Sequence, residues 1–171
     1  NSGFDTVDYS SSYLAVNIDL LYGTASGGDA TGDTFTGIEA VIGSNTSGEQ
    51  DNIWGDANSN SLYGMGGDDT LQGGGGADYI DGGAGWDTAS YDRSYSGVNI
   101  NLETGVHTGG QAAGDTLVNI EAITGSDYDD TLFGDDTENY FYGGNGDDRM
   151  IGGKSQDQFW GQGGADTLAF L

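Results

Sequence analysis

The chain has 171 residues, the size of one domain, with 34 glycines and neither proline nor cysteine. Its 28 acidic residues face three basic ones for a net charge of -25, which excludes nucleic acid and anionic membrane surfaces as partners, because nothing here can neutralise phosphates. Such a charge also describes a disordered acidic tail, but three tryptophans, ten tyrosines, six phenylalanines and glycines in a fixed rhythm argue against that. No apolar run is long enough to span a bilayer. The absence of cysteine suits a secreted protein stapled by metal instead of disulfides.

Taken in order, the chain is two copies of one unit, expected at residues 1–84 and 85–171 and stacked as one roll. Gly3-Phe4-Asp5-Thr6-Val7 matches Gly85-Trp86-Asp87-Thr88-Ala89, an offset of 82 that holds through Ile38-Glu39-Ala40 against Ile120-Glu121-Ala122. After three extra residues near Thr46 to Gln50 the offset becomes 79, pairing Asp69 with Asp148 and Asp87 with Asp166. Each unit opens with a strand-like alternation, Val16-Asn17-Ile18-Asp19-Leu20 or Val98-Asn99-Ile100-Asn101-Leu102. Glycine turns at Ser26-Gly27-Gly28 and Thr108-Gly109-Gly110 follow, then a second strand around Ile38 to Ile42 or Ile120 to Ile123. No helical periodicity with caps is present, and the chain reads as all-β.

Each unit closes with a nine-residue phrase that has glycine first and fourth, aspartate sixth and an apolar residue eighth. The sixth place runs through Asp51, Asn60, Asp69, Asp78 and Asp87, then Asp130, Asn139, Asp148, Asp157 and Asp166. The eighth runs through Ile53, Leu62, Leu71 and Ile80, then Leu132, Phe141, Met150, Phe159 and Leu168. Six residues of turn and three of strand make nine, and two such pieces close one coil of a solenoid. Side chains alternate along a strand, so only the middle residue of three points inward. Stacked coils thus build an apolar ladder inside, with stability shared between neighbours. A glycine turn presents unpaired carbonyls and the aspartate adds charge, an oxygen set suited to calcium, which takes 6–8 such ligands. Alternate phrases share a side, so ions belong between residues 18 apart: Asp51 with Asp69, Asn60 with Asp78, Asp69 with Asp87, and likewise from Asp130 to Asp166.

The runs GMGGDDTLQ, GGGGADYID, GGNGDDRMI and GQGGADTLA resemble the repeats-in-toxin (RTX) β-roll family, and GDTFTGIEAVIGS and GDTLVNIEAITGS are similar to segments found between RTX blocks. The resemblance implies a right-handed parallel β-roll that binds several calcium ions. Carbonyls of the first and third positions with one aspartate would hold one side of an ion, and those of the second and fourth with the next aspartate the other. Carried over, one site uses Gly64, Gly66 and Asp69 with Gly83, Gly85 and Asp87. A second uses Gly143, Asn145 and Asp148 with Gln162, Gly164 and Asp166. Further metal positions implied are Asp51, Gly67, Gly73, Gly75, Gly76, Asp78, Asp130, Gly146 and Asp157. Asn58 and Thr137 replace the fourth glycine, and Asn60 and Asn139 the aspartate, which weakens those turns. The break from Tyr91 to Ser96 is expected to leave Asp78 without a coil above it.

The resemblance further implies type I secretion from a Gram-negative bacterium, with folding on calcium outside the cell or at its surface. Alternatives are a calcium-dependent adhesin or carbohydrate-binding module, or the non-catalytic part of a secreted polysaccharide-modifying enzyme or protease. Catalysis by the chain itself is not expected. His107 is the only histidine, with no zinc partner, and the matching of Glu39 with Glu121 follows from the repeat. Trp54, Trp86, Trp160, Tyr63, Tyr140 and Tyr142 either stack on one another or offer a platform to extracellular polysaccharide.

Overall fold

The computed structural model describes residues 3–169. The first intervening segment supplies β1 (Thr6–Asp8), β2 (Asn17–Asp19), β3 (Thr24–Ser26) and β4 (Ala40–Ile42). The first nonapeptide run supplies β5 (Asn52–Trp54), β6 (Ser61–Gly66), β7 (Thr70–Gln72), β8 (Tyr79–Ala84) and β9 (Thr88–Ser90). The second unit gives β10 (Asn99–Asn101), β11 (Thr116–Val118) and β12 (Ala122–Thr124), then β13 (Thr131–Phe133), β14 (Tyr140–Asn145), β15 (Arg149–Ile151), β16 (Gln158–Gly163) and β17 (Thr167–Ala169). Single 3₁₀ turns at Gly28–Ala30 and Gly110–Ala112 are the only helical pieces among the described residues.

These strands form an eight-stranded sheet ordered β16-β14-β12-β9-β7-β5-β2-β3, a five-stranded sheet β1-β4-β6-β8-β11 and a four-stranded sheet β10-β13-β15-β17. Pairing is parallel throughout except for the β2–β3 hairpin. From β4 to β9 and from β12 to β17 the chain alternates between the large sheet and one of the smaller ones, which is the winding of a β-roll. The period-nine rule places the middle residue of each short strand inside. Ile53, Leu62, Leu71, Ile80, Leu132, Phe141 and Met150 have no exposed surface. The ladder continues through Ile18, Val41, Ile100 and Ile123 of the intervening segments. It loses cover at the last coil, where Phe159 is half-buried and Leu168 is 45 % exposed.

The expected gap above Asp78 is absent. β11 stacks on β8 with Leu117 opposite Ile80, so the intervening segment completes the coil that the broken nonapeptide pattern left open. The two units also do not superimpose by simple translation. β4, β6 and β8 lie in the five-stranded sheet, whereas their counterparts β12, β14 and β16 lie in the eight-stranded one. Equivalent surfaces of the two units therefore sit on opposite sheets.

Candidate metal centre

The sixth-position side chains are turned inward. Asp51, Asn60, Asp69, Asp78, Asp87, Asp130, Asn139 and Asp148 are all buried, and Asp157 and Asp166 half-buried. Residues 18 apart do meet: each later side chain accepts a hydrogen bond from the backbone N–H of the earlier residue. Asp51 donates to Asp69, Asn60 to Asp78, Asp69 to Asp87, Asp130 to Asp148, Asn139 to Asp157 and Asp148 to Asp166, at 2.8 to 3.1 Å. Where the nonapeptides stop, other acids take over the same task. The Asp78 N–H donates to Asp115 Oδ1 and the Asp87 N–H to Glu121 Oε2, both at 2.9 Å. Glu39 does the same for Asp5 at 2.8 Å. Glu39 and Glu121 are thus main-chain caps in matching places. Sequence reasoning missed Asp115 and Glu121 as part of this series, although their places as the second and eighth residues of the recurring GDT…IEA segments were the available signal.

That hydrogen bond uses one carboxylate oxygen. The second oxygen, Oδ2, of Asp69, Asp78, Asp87 and Asp148 is buried with no hydrogen-bond partner. An unpaired buried carboxylate oxygen is costly, and its usual remedies are a proton or a cation. Burial pushes the Asp69 and Asp78 carboxyls up to about 7, with neighbouring carboxylates adding to the effect. Asp87 and Asp148 rise to about 6 for the same reasons. Asp51 and Asp130 differ. Both of their oxygens are satisfied, by Val16 and Ser44 in one case and Val98 and Ser126 in the other.

The glycine turns complete the arrangement. The place where a Cβ on Gly64 would stand is approached by Asp69 Oδ2 and by the Gly82 carbonyl oxygen of the next coil. At Gly143 the same place is approached by Asp148 Oδ2 and the Gly161 carbonyl. The missing Cβ therefore leaves a cradle lined by oxygen. Gly83 and Gly85 take φ of 103° and 153°, and a Cβ on them would strike the Met65 and Gly67 carbonyls. Carbonyls of first positions accordingly face the preceding coil, and those of second and fourth positions the following one. The interval between the Gly64–Asp69 and Gly82–Asp87 turns thus receives the Met65, Gly67 and Gly82 oxygens. The resemblance had assigned the halves the other way, with Gly64 and Gly66 facing Gly83 and Gly85. Gly64 instead directs its carbonyl toward Gly43, 2.8 Å from that residue's missing Cβ.

The weakened turns are closed by their own bonds. Asn60 Oδ1 accepts from the Asp56 N–H and Asn139 Oδ1 from the Asp135 N–H, each at 2.8 Å. Among the described residues no three His, Cys, Asp or Glu side chains converge as in an all-side-chain metal site. The available donors are pairs of aspartates and main-chain carbonyls, a hard-oxygen set that fits calcium and not zinc. His107 is buried, its Nδ1 accepts from the Asn101 N–H at 3.3 Å, and burial lowers its pKa, so it is a neutral packing residue. The aromatic residues largely engage each other or a cation. Tyr142 and Trp160 stack at 4.5 Å, Trp86 meets Tyr140 at 4.5 Å, Tyr63 meets Tyr79 at 5.6 Å, and Arg93 lies over Trp54.

A parallel roll whose glycine turns bury paired carboxylates defines a calcium-binding repeat protein. The profile of the RTX calcium-binding nonapeptide repeat (4 copies) matches residues 54–89, 120–150 and 142–169. These segments make up half of the chain, and the chain belongs to that family. The repeats are a non-catalytic calcium-binding module, and RTX repeats occur in secreted proteins. No curated protein matches the chain. No helix of the described residues is long and apolar enough to cross a membrane.

Proposed function

We propose that the chain is a calcium-driven folding module of a secreted bacterial protein, exported unfolded by a type I route from a Gram-negative cell and folded outside it. The observation that carries this is the set of four buried, unpaired Oδ2 oxygens beside first-position glycines. Asp69 and Asp87, with the main-chain oxygens of Met65, Gly67 and Gly82, would hold one ion. Asp148 and Asp166, with those of Gly146 and Gly161, would hold another, and Asp78 with Asp115 marks a third acidic interval. The bound ion supplies positive charge to carboxylates that otherwise resist ionisation, and its binding energy becomes folding energy. The two units, 1–84 and 85–171, fold as one stack because β8–β11 and β7–β9 pairing crosses between them.

Far-UV circular dichroism during a calcium titration, with magnesium as control and calorimetry for stoichiometry, tests this reading. A β-signal that appears with calcium alone, with several ions taken up, is the expected result. A chain fully folded in chelator at neutral pH would overturn it. A second reading, a calcium-dependent adhesin or carbohydrate-binding module, is favoured by one groove. It is lined by Leu21, Tyr22, Arg93, Tyr95 and Tyr128, with Tyr22 73 % and Tyr95 87 % exposed. Exposed rings of this kind stack on sugars, and a glycan array read with and without calcium decides that reading.

A further inference from the structure

Where β11 stacks on β8 and β12 on β9, two turns of unequal length lie against each other. Asp81 is opposite Val118 and Thr88 opposite Ala122. Between those pairs one coil runs through six residues, Gly82 to Asp87, and the following coil through three, Asn119 to Glu121. Asn119 therefore falls at the level of Gly82, and Glu121 at that of Asp87. The short turn is firmly built. Asn119 takes a left-handed φ of 51°, a region in which asparagine is enriched among non-glycine residues. Its Nδ2 donates to Asp81 Oδ1 at 2.8 Å. The Glu121 and Ala122 N–H groups both donate to the Asp87 carbonyl, at 3.1 and 2.9 Å. The first unit repeats the form, with Gly37 at φ 66° and Glu39 capping the Asp5 N–H.

This short turn meets an unsatisfied carboxylate. Asp87 has no exposed surface, its Oδ1 accepts from the Asp69 N–H at 2.8 Å, and its Oδ2 has no partner. The place where a Cβ on Gly82 would stand is approached by the Asp87 side chain and by the Asn119 carbonyl oxygen. Gly64 is flanked in the same way by Asp69 and the Gly82 carbonyl, and Gly143 by Asp148 and the Gly161 carbonyl. Asn119 thus supplies the oxygen that a first-position glycine supplies elsewhere. Gly83 and Gly85 repeat the positive φ of Met65 and Gly67, which turns their carbonyls toward the following coil. Glu121 completes the set. Its Oε2 accepts from the Asp87 N–H at 2.9 Å, and its Oε1 takes no hydrogen bond among the described residues. Glutamate, one methylene longer, reaches from this shorter turn the N–H that aspartate reaches from a full one.

We propose that this interval is a further calcium site, one half of it made by a turn outside the nonapeptide pattern. Its ligands are the Asp87 and Glu121 carboxylates and the carbonyl oxygens of Gly83, Gly85 and Asn119. Solvent completes the 6–8 oxygens that calcium takes. The set is all hard oxygen, with no nitrogen or sulfur donor to favour zinc or copper. Asp51 and Asp130 show the contrast, because main-chain and serine donors already satisfy both of their carboxylate oxygens. An ion between Asp87 and Glu121 clamps the first nonapeptide run to the intervening segment that follows it. The junction between blocks is then itself held by metal, and the calcium-binding stack does not stop where the nine-residue phrase stops.

The inference rests on the calcium reading proposed above, and its test keeps the two apart. Calcium uptake of the full chain is measured by equilibrium dialysis and calorimetry in the parent, Asp69→Asn, Glu121→Gln and the double variant. Glu121→Gln keeps an acceptor for the Asp87 N–H and removes the charge, so a glutamate that only capped the main chain would leave uptake unmoved. The expected result is one ion fewer in Glu121→Gln, or one site weakened by at least about tenfold, and a further loss when Asp69→Asn is added. Unchanged uptake in Glu121→Gln, or a double variant that loses no more than Asp69→Asn alone, overturns the inference while leaving the calcium reading intact. A parent chain that takes up no calcium overturns both. Should Glu121→Gln fail to fold, crystals of the calcium-loaded parent decide. An anomalous-scattering peak between Asp87 and the Asn119 carbonyl is expected, and peaks at the nonapeptide turns with none there overturn the site.

Discussion

At Asp69 one oxygen is bound to the Asp51 N–H and the other has no hydrogen-bond partner, and the pH behaviour of the chain follows from that imbalance. The unfolded carboxyl titrates near 4, while burial raises those of Asp69 and Asp78 to about 7 and those of Asp87, Asp115 and Asp148 to about 6. Between those limits the folded chain holds more protons than the unfolded one, so without metal its stability falls as pH rises from about 4 to about 7. In chelator the β-signal should therefore strengthen as the solution is acidified through that window, and a signal that weakens instead would contradict the burial of these groups. Substitution separates the proton from the ion. Asp69→Asn keeps the acceptor for Asp51 and removes the buried charge, so at pH 7.5 it should raise metal-free stability by roughly 2 kcal/mol. The same change should lower calcium affinity at least tenfold, about 1.4 kcal/mol. Paired thermal melts with and without calcium check both signs.

A single turn or strand shows how closely conformation and site are tied. Gly85→Ala forces a Cβ at φ 153° against the Gly67 carbonyl, and should cost at least about 2 kcal/mol while reducing calcium uptake, measured by denaturation and calorimetry. Leu71→Ala opens a cavity in the ladder where the side chain has no exposed surface, and should cost about 2–5 kcal/mol with calcium stoichiometry unchanged. The strand centres and sixth-position acids were legible because a three-residue strand and a six-residue turn leave a rigid beat in the sequence. β11 was not legible. Thr116-Leu117-Val118 has no period of its own and pairs with residues 37 positions away, at Tyr79 to Asp81. The roles of Asp115 and Glu121 were hidden likewise, since a cap is defined by the N–H it meets and not by its neighbours in sequence. Carbonyl direction depends on the φ alternation of Met65 (80°), Gly67 (129°), Gly83 and Gly85, which composition alone does not reveal.

Over the whole molecule, protection should follow position in the stack. The interior coils β5 to β9 are covered on both sides, whereas β16 and β17 are covered on one. Amides of the last coil should exchange with solvent well before those of β7 and β9, and the gap should widen with calcium, as hydrogen-exchange mass spectrometry would read. The exchange of sheets between units sets like surfaces back to back, so any ligand recognised by one unit would be met in two opposed directions. The 18-residue coil also has a mechanical meaning. A load applied to the two ends of the roll peels one coil at a time instead of shearing the whole sheet. Each released coil frees 18 residues, or roughly 60 Å of extended chain at about 3.4 Å per residue. Every step breaks two ladder contacts and two sixth-position intervals, so calcium would set the force of each step and the repeat its length. The roll would behave as a ratcheted tether whose stiffness is dialled by the bound ion.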